Sequence, residues 1–192
     1  MGKEFEIKFA ATPAQLAALE AAFQPLTPIS METTYYDALD GSLSARHITL
    51  RRRMENGISV CTVKTPLDGL GRGEWDTECS RIEEAVPVLC KLCCTEDLPL
   101  LTRSGIVEVC GARFLRKCAT LHSHGCTLEL ALDEGVLLGG SQEIPLCEVE
   151  VELKEGNEED ALLFARILAA KYGLKQENRS KFRRALALAK EG

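Results

Sequence analysis

Aromatic residues make up only 5% of the 192 positions, with a single tryptophan. Few side chains therefore offer a stacking platform for a base or other ring, and Trp75 reads as a packing residue. No apolar run approaches the ~20 residues that span a bilayer. The N-terminus carries charge at once and has no signal-peptide pattern, so a cytoplasmic protein without a membrane partner is expected. Basic balance is also missing: 23 Lys and Arg stand against 29 Asp and Glu, a net charge of -6. Nonspecific nucleic-acid binders usually carry the opposite sign, so no nucleic-acid partner is expected. The three histidines, His47, His122 and His124, lack a carboxylate-rich spacing and read as surface or loop residues. Cys90, Cys93 and Cys94 form a CxxCC cluster with no second ligand pair at zinc-finger spacing. Nine cysteines in an intracellular chain read mostly as small, reduced core residues. Neither linker, internal repeat nor low-complexity tract divides the chain, which implies one domain over 1–192.

What the chain does have is strict alternation. Glu4, Glu6 and Lys8 share one face of an N-terminal strand, and Phe5, Ile7 and Phe9 the other. The pattern recurs at 146–154, where Glu148, Glu150, Glu152 and Lys154 oppose Cys147, Val149, Val151 and Leu153. At 126–133 Thr127, Glu129, Ala131 and Asp133 oppose three leucines. Arg51 and Arg53 point the same way, Lys64 ends the following strand, and Arg72, Glu74 and Glu78 lie on the one after. Like charges crowded at i and i+2 on several strands make an expensive outer surface. They make more sense around a lumen where carboxylates hold divalent metal and guanidinium groups grip phosphate oxygens. The apolar faces would then point outward, beneath helices. The alternative is an ordinary apolar core with every charged face in water.

Strands are predicted at 33–37, 47–54, 58–64, 73–79, 106–109, 113–122, 126–133 and 146–154. Asn56-Gly57 between the second and third of these is a strong hairpin turn. Thr12 as N-cap and Pro13 at N1 open a helix over 14–23. Further helices are expected at 82–94, 97–104, 157–172, ended by Gly173, and 178–189. Many antiparallel strands with a few helices imply a mainly β, α+β fold built on a barrel or strongly curved sheet.

Taken in order, these motifs resemble the CYTH, or triphosphate tunnel metalloenzyme, family. Glu4, Glu6 and Lys8 match its ExExK, Tyr35-Tyr36-Asp37 its YYD strand and Leu50-Arg51-Arg52-Arg53 its LRxR. Thr62-Val63-Lys64 resembles TxK, Arg72-Gly73-Glu74 the RxE strand, and Phe114-Leu115-Arg116 the strand with a phosphate-binding arginine. The segment 128–133, with Glu129 and Asp133, resembles ExxxD, and Glu148 with Glu150 the ExE strand. Ser180-Lys181 with Arg184 is similar to the C-terminal SKxxR helix. The resemblance implies an eight-stranded antiparallel β-barrel tunnel with flanking helices, a triphosphate substrate, and Mg²⁺ or Mn²⁺. Within the family the chain looks most like bacterial inorganic triphosphatases.

On that basis Glu4, Glu6, Glu148 and Glu150 are the expected metal ligands. Arg51, Arg53, Lys64, Arg72, Arg116, Lys181 and Arg184 are the expected triphosphate ligands, with Glu74, Glu129, Asp133 and Glu152 in support. The spacing leaves open whether Arg113 or Arg116 reaches the lumen, with Arg116 preferred. Lys8 is the expected catalytic residue, activating water if nearby arginines lower its pKa, or else a phosphate ligand only. Asp37 could touch metal through water or tie a turn. A monomer or homodimer hydrolysing inorganic triphosphate is expected. Thiamine triphosphatase, nucleoside triphosphatase or class IV adenylate cyclase activity on the same fold is the near alternative, and a noncatalytic polyphosphate or nucleotide sensor the distant one.

Overall fold

A computed structural model describes residues 2–66, 72–93, 97–123 and 125–191. In chain order the elements are β1 (Gly2–Glu4), β2 (Glu6–Ala10), α1 (Pro13–Ala22), β3 (Thr27–Ala38), α2 (Ser42–Ala45), β4 (Thr49–Glu55), β5 (Ile58–Pro66) and β6 (Arg72–Glu78). They continue with α3 (Ile82–Cys93), α4 (Asp97–Leu101), β7 (Ile106–Ser123), β8 (Cys126–Gly139), β9 (Gln142–Glu155), α5 (Glu158–Tyr172), β10 (Lys175–Gln176) and α6 (Lys181–Glu191). Cys94 and His124 lie outside the described residues, as do the side chains of Glu4 and Arg72.

The strands form one antiparallel sheet ordered β1-β6-β5-β4-β3-β7-β8-β9-β2-β10. Among the described residues no ladder joins the two ends of that order. The covalent chain instead links β1, at one end, to β2, next to the two-residue β10 at the other, because β1 and β2 are the two halves of the N-terminal segment on either side of Phe5. β1 pairs with β6 and β2 with β9, so the sheet curls back onto its own first strand. Counted that way, eight principal strands surround a lumen, and β10 is a two-residue addition. The strands expected separately at 106–109 and 113–122 are one, β7. Gly111 and Ala112 keep it continuous: a Cβ at Gly111 would lie 2.9 Å from the Thr33 carbonyl of the neighbouring strand.

Local signals explain the boundaries. Asn56 (φ 49°) and Gly57 (φ 90°) take the left-handed conformations of a tight hairpin between β4 and β5. The Asn56 side chain also accepts a hydrogen bond from Ser30 N–H at 2.9 Å. Thr12 and Gln15 form a reciprocal capping box at the start of α1. Asn157 caps α5, and Gly173 ends it at φ 68°.

The charged faces point inward. On the outer faces Ile7, Phe9, Leu128, Leu130, Leu132, Val149 and Val151 pack with Leu16 and Leu19 of α1 and Ala161, Ala165 and Leu168 of α5. Tyr36, Leu50, Cys61, Val63 and Trp75 pack beneath α2, α3 and α4. Helix α6 differs, since it packs Ala185 and Leu188 against Ala112, Leu137 and Leu146. Those three positions share the inward parity of Arg116, Asp133 and Glu148, so α6 lies across the lumen face of β7, β8 and β9. Gly139 permits the approach: a Cβ there would lie 2.4 Å from the Ala185 carbonyl oxygen and 2.6 Å from Ala189 N.

Candidate functional site

The lumen is a cavity of about 590 Å³. Among the described residues its wall carries Lys8, Arg51, Arg53, Lys64, Arg116, Lys154 and Lys181, facing Glu6, Glu74, Asp76, Glu129, Glu150 and Glu152. Arg51, Arg53 and Lys64 come from β4 and β5, beside Glu74 and Asp76 of β6. Glu6, Glu129, Asp133, Glu148, Glu150 and Glu152 come from β2, β8 and β9, which also carry Lys8 and Lys154.

The acidic pole centres on Asp133, Glu148 and Glu150, all buried, each offering an oxygen within 4.8 Å of the others. The Arg116 guanidinium forks onto Asp133 through Nε (2.8 Å) and Nη2 (2.7 Å) and also donates to Glu150. Lys181 Nζ donates to Glu148, to Glu150 at 2.6 Å and lies 2.8 Å from Asp133 Oδ2. Arg184 donates to Glu148. The Ser180 hydroxyl accepts from Arg183 N–H at 3.1 Å, capping α6 so that Lys181 and Arg184, three apart, descend on one face of the helix. Burial, with Glu150 adding to it against the pull of Lys181 and Arg184, pushes the Glu148 carboxyl up to about 7. For Glu150 burial acts the same way, but Lys181 and Arg116 prevail and hold its carboxyl well below the usual range.

At the basic wall, Glu74 meets Arg51 at 3.0 Å and Lys64 at 3.2 Å, and Arg53 bonds Glu55. Burial and repulsion from Arg51 and Arg116 leave the Arg53 guanidinium with a lowered pKa, despite Glu55. Three guanidinium groups thus converge on one space, an arrangement that an anion with several oxygens would relieve.

The CYTH domain model matches residues 2–186. The chain belongs to the CYTH family. It is 28% identical over 197 aligned positions to the inorganic triphosphatase of Haemophilus influenzae, covering 98% of this chain and 55% of that protein. The chain thus spans about half the length of that curated relative. A Hippeastrum adenylyl-cyclase-like protein with a dominant triphosphatase activity superimposes with a TM-score of 0.69 at 19% identity, covering 98% of this chain and 96% of that one. A candidate adenylate cyclase from Bacillus halodurans gives a TM-score of 0.65 at 17% identity, over 96% and 98% of the two chains. At such identities the two structures speak to the fold.

Within this CYTH chain the expected residues fall as follows. Glu6, Lys8, Arg51, Arg53, Lys64, Glu74, Arg116, Glu129, Glu150, Glu152 and Lys181 all line the lumen. Glu4 and Arg72 face each other in the β1–β6 register, and their side chains are outside the described residues. Between the two arginines of β7, Arg116 is lumenal, whereas Arg113 is exposed and pairs with Glu143 at 2.6 Å. Asp133, expected in support, belongs to the central carboxylate trio. Glu6 does not, and lies 3.0 Å from Lys8 Nζ. The expectation that arginines would lower the Lys8 pKa is not met. Burial does push it down, but the carboxylates of Glu6, Glu150 and Glu148 outweigh burial and raise it. Asp37 ties a turn, accepting from the backbone N–H groups of Ala38, Leu43 and Ser44 at 2.8, 3.1 and 3.3 Å. Asp76, which accepts from Thr62 Oγ1 at 2.5 Å, was missed among the candidate site residues, although its i+2 spacing from Glu74 places it on the same face. Among the described residues no helix is long and apolar enough to cross a membrane.

Proposed function

We propose that this chain hydrolyses inorganic triphosphate to pyrophosphate and phosphate inside the lumen, with Mg²⁺ or Mn²⁺ as cofactor. The observation that carries the reading is the convergence of Arg51, Arg53 and Arg116 on one cavity whose wall includes Glu150, with Asp133 and Glu148 gathered beside it. Such a space suits an anion with many oxygens accompanied by a cation. Similarity to the Haemophilus inorganic triphosphatase supports the same substrate class.

Asp133, Glu148 and Glu150 fit a divalent ion, because three converging carboxylate oxygens are the hard donors that Mg²⁺ and Mn²⁺ prefer. An ion held there supplies Lewis-acid polarisation of phosphoryl oxygens. The chain's own residues do the remainder. Arg51, Arg53 and Lys64 bind and orient the triphosphate, with Arg116 and Lys181 closing on it from the acidic side. Their fixed positive charges offset negative charge that develops on the phosphoryl oxygens as the terminal group transfers. Lys8, held as an ammonium by Glu6, Glu150 and Glu148, acts as a phosphate ligand; service as a base would need loss of a proton that those carboxylates stabilise.

The deciding assay measures phosphate and pyrophosphate release from tripolyphosphate, ATP and thiamine triphosphate, with Mg²⁺, Mn²⁺ or chelator. Metal-dependent cleavage of tripolyphosphate ahead of the other two is expected. Tight tripolyphosphate binding without cleavage of any of them would make the protein a sensor.

A further inference from the structure

The three carboxylates suited to a divalent ion already surround an ammonium group. Lys181 Nζ lies 2.6 Å from Glu150 and 2.8 Å from Asp133, and it bonds Glu148 as well. These are the same three side chains whose oxygens gather within 4.8 Å. Arg116 and Arg184 complete the cluster, so three cations balance three carboxylates. The ammonium and a metal ion cannot share that centre. Magnesium needs its oxygens at about 2.0–2.1 Å, and two cations so close in a poorly screened interior repel strongly.

We infer that Lys181 is a built-in occupant of the metal position, displaced when a polyphosphate arrives, so that metal and triphosphate bind as a coupled pair. The inference rests on the reading of these carboxylates as metal ligands given above. Lysine suits the task because its charge sits on a flexible four-carbon stem and can move without shifting the helix. Lys181 also lines the cavity, so phosphate oxygens entering it come within reach of the ammonium. Once Lys181 and Arg116 turn to those oxygens, only Arg184 is left to balance the three buried carboxylates, a costly state that a divalent ion relieves. Without a polyphosphate the carboxylates already have Lys181, Arg116 and Arg184 as partners and the ion gains little. By reciprocity, bound metal raises triphosphate affinity by the same factor.

The test uses Mn²⁺ alone, titrated calorimetrically into the wild-type protein and Lys181→Met with no phosphate present. The variant should bind Mn²⁺ about tenfold or more tightly than wild type, and Mn²⁺ should raise its Tm by more. Equal affinity overturns the inference. Because the variant leaves carboxylates under-neutralised and could unfold, a second arm keeps the wild-type chain. Mn²⁺ is titrated with and without imidotriphosphate, whose own chelation is measured in a protein-free blank. Mn²⁺ affinity above both the blank and the analogue-free protein is expected, and no gain overturns the inference. Neither titration needs turnover. Coupling in a protein that cleaves nothing would refute only the hydrolase reading, whereas active protein without coupling would refute only this one.

Discussion

Replacing Arg116 by Met, with Arg113→Met beside it, tests the inside-out charge arrangement on a single strand. Arg116 holds Asp133 through two bonds of 2.8 and 2.7 Å and also bonds Glu150. The Asp133 side chain is fully buried, and that of Arg116 is 14% exposed. Removing one partner of a buried ion cluster strands the others, at about 3–5 kcal/mol. At this chain length that is roughly a 10 °C fall in Tm. Arg113, three residues earlier, is 55% exposed in its pair with Glu143, and surface pairs of that kind contribute about 0–1 kcal/mol. Urea denaturation of metal-free protein gives both values, and calorimetry gives tripolyphosphate affinity for the same variants. Arg116→Met should lose stability and at least tenfold in affinity, with Arg113→Met close to wild type in both. Equal losses for the two variants, or a neutral Arg116→Met, would refute the assignment of faces.

Leu130 is fully buried on the outer face of β8, so Leu130→Ala should cost about 2–5 kcal/mol in chemical denaturation. Its lumenal neighbour Glu129→Gln should change stability by roughly 0.5 kcal/mol or less. Gly139→Val would drive a side chain into the Ala185 carbonyl, displacing α6 and Lys181 with it. Lower Tm and weaker tripolyphosphate binding should appear together; a fully active variant would show that α6 does not need that close approach. Burial, with Cys79 adding to it, pushes the Cys61 thiol up to about 11, and burial pushes Cys110 up to about 12. A raised thiol pKa keeps the group neutral, so at pH 8 roughly one molecule in a thousand or fewer carries the reactive thiolate. Iodoacetamide followed by peptide mass spectrometry should leave both unmodified in the native protein. Because the unfolded thiols ionise first, these two groups weaken the fold only as pH climbs above the ordinary thiol range.

Much of the architecture was legible in the chain because strand alternation is a local property. Period-2 spacing put Glu6 with Lys8, Glu148 with Glu150 and Arg51 with Arg53, and left Val149 and Leu130 on the faces that the helices cover. Caps and turns were equally local: Thr12 opens α1, Gly173 closes α5, and Asn56-Gly57 turns the hairpin, each through backbone conformations those residues favour. The two halves of β7 were not seen as one strand, because Gly111 and Ala112 look like a break until the Thr33 carbonyl that requires a small residue there is brought alongside.

By itself the sequence determined which residues share a face, where elements begin and end, and that opposite charges would crowd together. Which charge meets which was decided only by tertiary structure. Asp133 joins Glu148 because β8 and β9 set them opposite each other in the ladder. Lys181 reaches both because Ser180 starts a helix that Gly139 lets settle on the sheet. The environment of Lys8 turned the same way: arginines abound in the sequence, yet β2 lies beside β9, so the carboxylates of Glu148 and Glu150, with Glu6 on the strand itself, raise its pKa. Coulomb energy depends on separation through space, and separations between strands far apart in the chain exist only once the sheet has curled.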